Sequence, residues 1–113
     1  MDARDRPLIW LHGEVKTPPF SSDGRLEAGL LLRRLQRGDK LAMPVSRPMP
    51  QIAAGCHELR INDGRAAWRI VYFVGANSVV VLDVFAKNSR RTPSQVIANC
   101  KRRLEAYKLT SGE

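Results

Sequence analysis

Residues that ligate metals or carry redox chemistry are scarce in this chain. Cys56 and Cys100 are its two cysteines, with no CxxC spacing, and His12 and His57 are its two histidines. So thin a set favours neither a disulfide scaffold nor a zinc site, so no metal or cofactor is expected and both thiols are read as reduced. Long apolar runs are missing too. Leu30–Leu32 and Val79–Leu82 fall far short of the roughly 20 residues a membrane span needs, and the charges scattered from Met1 to Leu11 do not fit a signal peptide. The expectation is a soluble, cytoplasmic protein with no membrane partner. Acidic residues are few as well: 11 Asp+Glu face 19 Lys+Arg, giving a net charge of +8 and a pI near 10.3. That balance points away from neutral or cationic partners and toward polyanions.

What is present is an ordinary globular composition, 43% hydrophobic and 27% charged over 113 residues. This is enough for one core, and a single domain spanning 1–113 is expected. Pro7 and Gly13 bound the short apolar run Leu8-Ile9-Trp10-Leu11, which suits a strand. Lys16-Thr17-Pro18-Pro19-Phe20 cannot be helical and should be an ordered loop. From Asp23 to Arg37, Leu26, Leu30, Leu31 and Leu35 recur at helical spacing with arginines largely opposite; Ser22 or Asp23 can cap the start, and Gly38 fits the left-handed position after the end. Residues 40–55, with Pro44, Pro48 and Pro50, read as a crossing loop.

The second half reads as strands. His57 to Ile61 alternates, with Leu59 and Ile61 on one face and Glu58 and Arg60 on the other; Asn62-Asp63-Gly64 is a turn and Ala66–Val74 the returning strand. Ser78–Phe85 is apolar on both parities except Asp83, as a strand covered on both faces would be. Ser94 then caps a last helix with Val96, Ile97, Cys100, Leu104 and Tyr107 inward and Lys101, Arg102 and Arg103 outward. The sum is an α+β fold, a small twisted antiparallel sheet of about four strands with helices packed on it and part of one face left open.

Basic side chains crowd the region from Lys87 to Lys108, where Glu105 is the sole acid, and Arg60 and Arg69 stand inside strands. A strand arginine is paired, covers an apolar edge with its stem, or is aimed at a ligand. For Arg60 the first option is a pair with Glu58 or Asp83. If the registers agree, Arg60, Arg69 and Lys87 converge at one end of the sheet, where fixed cations match a phosphodiester and the added charge of its transition state.

Three ordered motifs then carry a family likeness. Glu58-Leu59-Arg60, Trp68-Arg69-Ile70-Val71-Tyr72, and the tail Phe85-Ala86-Lys87-Asn88-Ser89-Arg90-Arg91-Thr92-Pro93 before a basic amphipathic helix resemble the RelE/ParE superfamily of type II toxin–antitoxin toxins, nearest its HigB-like, phage-borne branch. The resemblance implies a RelE-like fold and a ribosome-associated mRNA endonuclease, or mRNA interferase, that inhibits translation and is neutralised by a cognate antitoxin. It implies catalytic roles for Arg60, Arg69 and Lys87, and RNA or ribosome binding by Arg90, Arg91, Lys101 and Arg102. Asn88 stands where the family pattern has a second lysine, and Pro18-Pro19 interrupt the region where many relatives have the first helix of a helical hairpin.

Such an enzyme moves the RNA 2′-hydroxyl onto the adjacent phosphate and expels a 5′-hydroxyl, which requires alignment, a base, an acid and charge stabilisation. Guanidinium groups suit the last role and make poor bases. Lys87, with its pKa lowered by neighbouring arginines, is the better proton-transfer group; Tyr72 has the wrong parity, and His57 at a strand start is read as structural. Two other classes compete: a ParE-like toxin that binds DNA gyrase, and a non-catalytic basic nucleic-acid-binding module.

Overall fold

A computed structural model describes residues 4–64, 66–87 and 91–112. Its elements run β1 (Leu8–Trp10), α1 (Ser22–Gln36), β2 (Ser46–Pro48), β3 (Cys56–Asp63), β4 (Ala66–Val74), β5 (Val79–Ala86) and α2 (Ser94–Ser111). They form one five-stranded sheet in the order β1-β5-β4-β3-β2. The expected α+β architecture holds, with two corrections to the sheet. It is mixed, because β1 pairs with β5 in parallel while every other pair is antiparallel. It also has a fifth strand, β2, inside the proline-rich segment read as a loop. Three residues are too short to display a period, and Pro48 is tolerated because β2 is an edge strand.

Alternation in β3 and β4 divides the interior into two layers. Leu59, Ile61, Ile70 and Tyr72 face α1 together with Phe20, Leu31, Leu32 and Leu35. Cys56, Val71, Phe73, Val80 and Leu82 face α2, meeting Cys100 and Leu104. Val79 to Leu82 are all fully buried, as a strand covered on both faces must be. Between Val71 and Tyr72 the β4–β5 register shifts: Val71 lies opposite Asp83, but Tyr72 lies opposite Val81. This bulge at Leu82 leaves Val79 and Val81 in the α1 layer and turns Asp83 and Phe85 toward α2.

In α1 the buried stripe is Ala28, Leu31, Leu32 and Leu35, whereas Leu26 and Leu30 are 60% and 68% exposed. The expected stripe was therefore rotated by part of a turn. Ala28 rather than a leucine is the fully buried member of this stripe, which leucine counting cannot reveal. The helix is capped by Ser21, one residue earlier than expected, whose Oγ accepts from Gly24 N (3.0 Å). The last residue of β3 holds that cap: Asp63 accepts from the Ser21 hydroxyl and from Ser21 N (2.8 Å), so its pKa lies below the ordinary carboxylate value. Gly24 makes this approach possible, since a Cβ there would lie 2.6 Å from the Asp63 carboxylate. Gly38 takes the left-handed conformation (φ 97°) after the helix, as the sequence suggests.

The last helix begins at Ser94 with Pro93 as its cap and no side-chain capping bond, so Ser94 is a first-turn residue and not the cap. Arg103 also departs from its expected outward place. Its Nη1 donates to Leu82 O (2.9 Å) and lies 3.5 Å from Asp83 Oδ2, tying α2 to the bulge. Both cysteines are free and buried in the α2 layer. Burial pushes the Cys56 thiol up to about 11; burial and then the Asp83 charge push Cys100 up to about 12. Neither is expected to react with Ellman's reagent at neutral pH until the chain unfolds. Rapid labelling of the native protein would contradict this packing.

Candidate nucleic-acid interface

Beside α2, the same sheet face collects cations on or just after four successive strands. Arg47 on β2 lies opposite Glu58 on β3, and Arg60 on β3 lies directly opposite Arg69 on β4. Lys87 follows β5, its backbone N–H donating to Ala67 O (2.7 Å). The bulge at Leu82 matters here: strict alternation from Val79 would turn Lys87 into the α1 layer, and the extra residue returns it to the face of Arg69.

Glu58 stands among these cations, fully buried. Its Oε2 accepts a 2.6 Å hydrogen bond from Thr92 Oγ1, just before α2. Its Oε1 lies 3.7 Å from Arg69 Nε and 3.8 Å from Lys87 Nζ. Among the described residues, neither Glu58 Oε1 nor Arg69 Nε has a hydrogen-bond partner, although Arg69 Nη1 donates to Trp68 O (2.9 Å). The side chains of Arg69 and Lys87 are only 8% and 6% exposed, while Arg47 and Arg60 are half-buried. Burial, above all, lowers the pKa of Lys87; the charges of Arg69, Arg47 and Arg60 push the same way and Glu58 opposes them. Arg69 is likewise lowered, first by burial and then by Arg60, again against Glu58. The lowering of the Lys87 pKa thus comes first from burial and only second from the arginines.

Among the described residues no group of three or more His, Cys, Asp or Glu is placed to hold a metal. The chemistry on offer is that of fixed N–H donors and positive charge around one carboxylate, a set suited to a phosphate diester.

A model of the family described as Phage derived protein Gp49-like (DUF891) matches residues 19–105. The chain belongs to that family. The Gp49-like family is associated with RelE-like toxins of toxin–antitoxin modules. No curated protein matches the chain. In this Gp49-like chain the matched stretch includes every member of the cation cluster and Thr92, and leaves β1 outside.

Of the residues singled out in the sequence, Arg60, Arg69 and Lys87 come together on one face. Arg60 pairs with neither acid suggested for it: Glu58 is beside Arg69 and Lys87, and Asp83 beside Arg103. Arg91, Lys101 and Arg102 are exposed, and Arg102 Nη1 donates to Asn99 Oδ1 (3.1 Å). Arg90, like Asn88, lies outside the described residues. His57 and Tyr72 face the α1 side, their rings stacked with centroids 5.4 Å apart. There they line a cavity of about 400 Å³ with Arg6, Leu35 and Lys40. Tyr72 is buried, its hydroxyl 2.6 Å from Ser46 Oγ, and burial raises its pKa. Neither ring can reach the cations. Sequence reasoning missed Arg47, hidden in the segment read as a loop, and the roles of Glu58 and Thr92.

Among the described residues, no helix is long and apolar enough to cross a membrane.

Proposed function

We propose that this chain, acting as one unit over residues 1–113, is the toxin of a type II toxin–antitoxin module: a metal-independent endoribonuclease that cuts mRNA on the ribosome in the cytoplasm. The observation that carries this reading is the juxtaposition of Arg60 and Arg69 as direct cross-strand partners beside Arg47 and Lys87, with one carboxylate among them. Like charges placed opposite each other destabilise a sheet, and sites that bear such a cost are those built to hold an anion. Half-buried Arg47 and Arg60 take the phosphate. Arg69 stabilises the charge of the pentacoordinate transition state, and Lys87, with its lowered pKa, exchanges the proton. The 2′-oxygen forms its bond to phosphorus as the bond to the 5′-oxygen breaks; the 2′-hydroxyl proton leaves to a base and the 5′-oxygen gains one. The products are a 2′,3′-cyclic phosphate and a 5′-hydroxyl end. A ribosome that holds mRNA in line supplies alignment that a site without a His or Glu pair lacks. Exposed Arg91, Lys101 and Arg102 bind RNA or ribosome phosphates, and a cognate antitoxin with an acidic segment covers the basic face.

The test is incubation of the purified protein, as isolated or after EDTA stripping and removal of the chelator, with ribosomes programmed with 5′-labelled mRNA. Cleavage within the decoding site in both conditions is expected. Intact mRNA from a folded, growth-arresting protein would discard the endonuclease and direct attention to gyrase supercoiling assays. Salt-sensitive binding without cleavage would leave a non-catalytic nucleic-acid-binding module.

A further inference from the structure

The two oxygens of Glu58 are used differently. Oε2 is fixed by Thr92, itself buried beside the cap of α2. Oε1 has no hydrogen bond among the described residues and lies nearly equidistant from Arg69 Nε and Lys87 Nζ. A structural ion pair closes to a hydrogen-bonded contact of about 2.8 Å and takes up the donors of its cation. At 3.7 and 3.8 Å the carboxylate supplies charge without closing to a hydrogen bond with either cation. We propose that Glu58 is a positioning residue for the cleavage reaction, clamped by Thr92 so that its second oxygen holds Lys87 and Arg69 side by side by charge, without closing to a hydrogen bond with either. The inference rests on the endonuclease reading for its kinetic consequences, and on geometry alone for its effect on Lys87.

That effect has a definite sign. The charged groups acting on the Lys87 ammonium are Arg47 from β2, Glu58 and Arg60 from β3, and Arg69 from β4; Thr92 adds an uncharged hydroxyl at Glu58. Burial and the three arginines all favour loss of its proton, and Glu58 alone opposes them. Removing the Glu58 charge must therefore let Lys87 deprotonate at lower pH.

The experiment follows the ¹⁵Nζ resonance of Lys87, assigned by its loss in Lys87→Arg, through a pH titration of the whole chain and its Glu58→Gln, Glu58→Asp and Thr92→Val variants. Cleavage of ribosome-bound mRNA is measured on the same samples. Glu58→Gln is expected to move the midpoint down by about one pH unit or more, the size of an opposite charge at this range. It should slow cleavage about tenfold while the mRNA concentration for half-maximal rate holds or falls, because the site gains positive charge. Glu58→Asp should bring the midpoint back toward wild type. Thr92→Val, which leaves no ion unpaired, covers the case in which Glu58→Gln does not fold; it should move the midpoint the same way by less and slow cleavage severalfold. A folded Glu58→Gln with an unmoved midpoint overturns the proposal, as does a folded Thr92→Val with both midpoint and rate of the wild type. If the wild type cuts no mRNA, the shifted midpoints still establish the alignment and it is the endonuclease reading that falls.

Discussion

Replacing Lys87 or Arg69 by alanine is expected to slow cleavage of ribosome-bound mRNA by a factor of about 100 to 1,000, the range of a lost proton-transfer group or transition-state donor. The two losses are distinguishable. Lys87→Arg keeps a cation but replaces a proton that burial makes easier to lose with one that a guanidinium holds, so it should remain nearly as slow as Lys87→Ala if Lys87 exchanges the proton. Arg69→Lys should recover part of the rate, because charge survives and the planar fork does not. Arg47→Ala and Arg60→Ala, at the half-buried positions, should chiefly raise the mRNA concentration needed and flatten the salt dependence. Because Glu58 is fully buried, Lys87→Ala and Arg69→Ala each leave its carboxylate with one paired cation fewer, and circular dichroism must accompany every rate. Wild-type cleavage by a folded Lys87→Ala protein would remove Lys87 from the reaction.

The legible and illegible parts of this site differ for physical reasons. The α+β class and the β3–β4 hairpin could be read because Leu59 and Ile61 alternate with Glu58 and Arg60 around an Asn-Asp-Gly turn, a local signal. The parallel pairing of β1 with β5 could not, since Leu8 and Val79 meet only after the whole meander is laid down. The convergence of Arg69 with Lys87 was conditional on register, and a one-residue bulge at Leu82, invisible in an unbroken run of apolar residues, decides it. In the sequence Glu58 reads as sharing the Arg60 face of an alternating strand, with no sign of burial. Its burial depends on Thr92, 34 positions away. No periodicity couples those two residues. The rotation of α1 has the same origin: Leu26 and Leu30 have the right spacing for a core stripe, and packing, with Ala28 fully buried, chose the other set.

Phe20→Ala is expected to remove about 3 to 5 kcal/mol of stability, a large share of the 5 to 15 kcal/mol typical of a domain. Phe20 is 1% exposed at the end of the proline loop, which is ordered as its sequence suggests: Phe20 N donates to Lys16 O (3.0 Å). Its ring stacks on Trp68, with centroids 4.2 Å apart and planes 16° from parallel, and packs into the layer between α1 and the sheet. Deletion of the ring thus loses both its buried area and the stacking partner of Trp68. Leu30→Ala, on the exposed face of the adjoining helix, should change stability by less than about 0.5 kcal/mol. Urea unfolding of the two variants measures the contrast, and a Phe20→Ala midpoint matching that of Leu30→Ala would contradict the packing described. The pair also separates fold from chemistry. Phe20 lies in the α1 layer, on the side of the sheet away from Lys87, so the fraction of Phe20→Ala that remains folded should cut mRNA at close to the wild-type rate. One connection runs between the two sides: Trp68 O accepts from Arg69 Nη1. Any loss of rate in the folded fraction should therefore resemble a mild Arg69 defect, recoverable by conditions that stabilise the fold, and not a Lys87 defect.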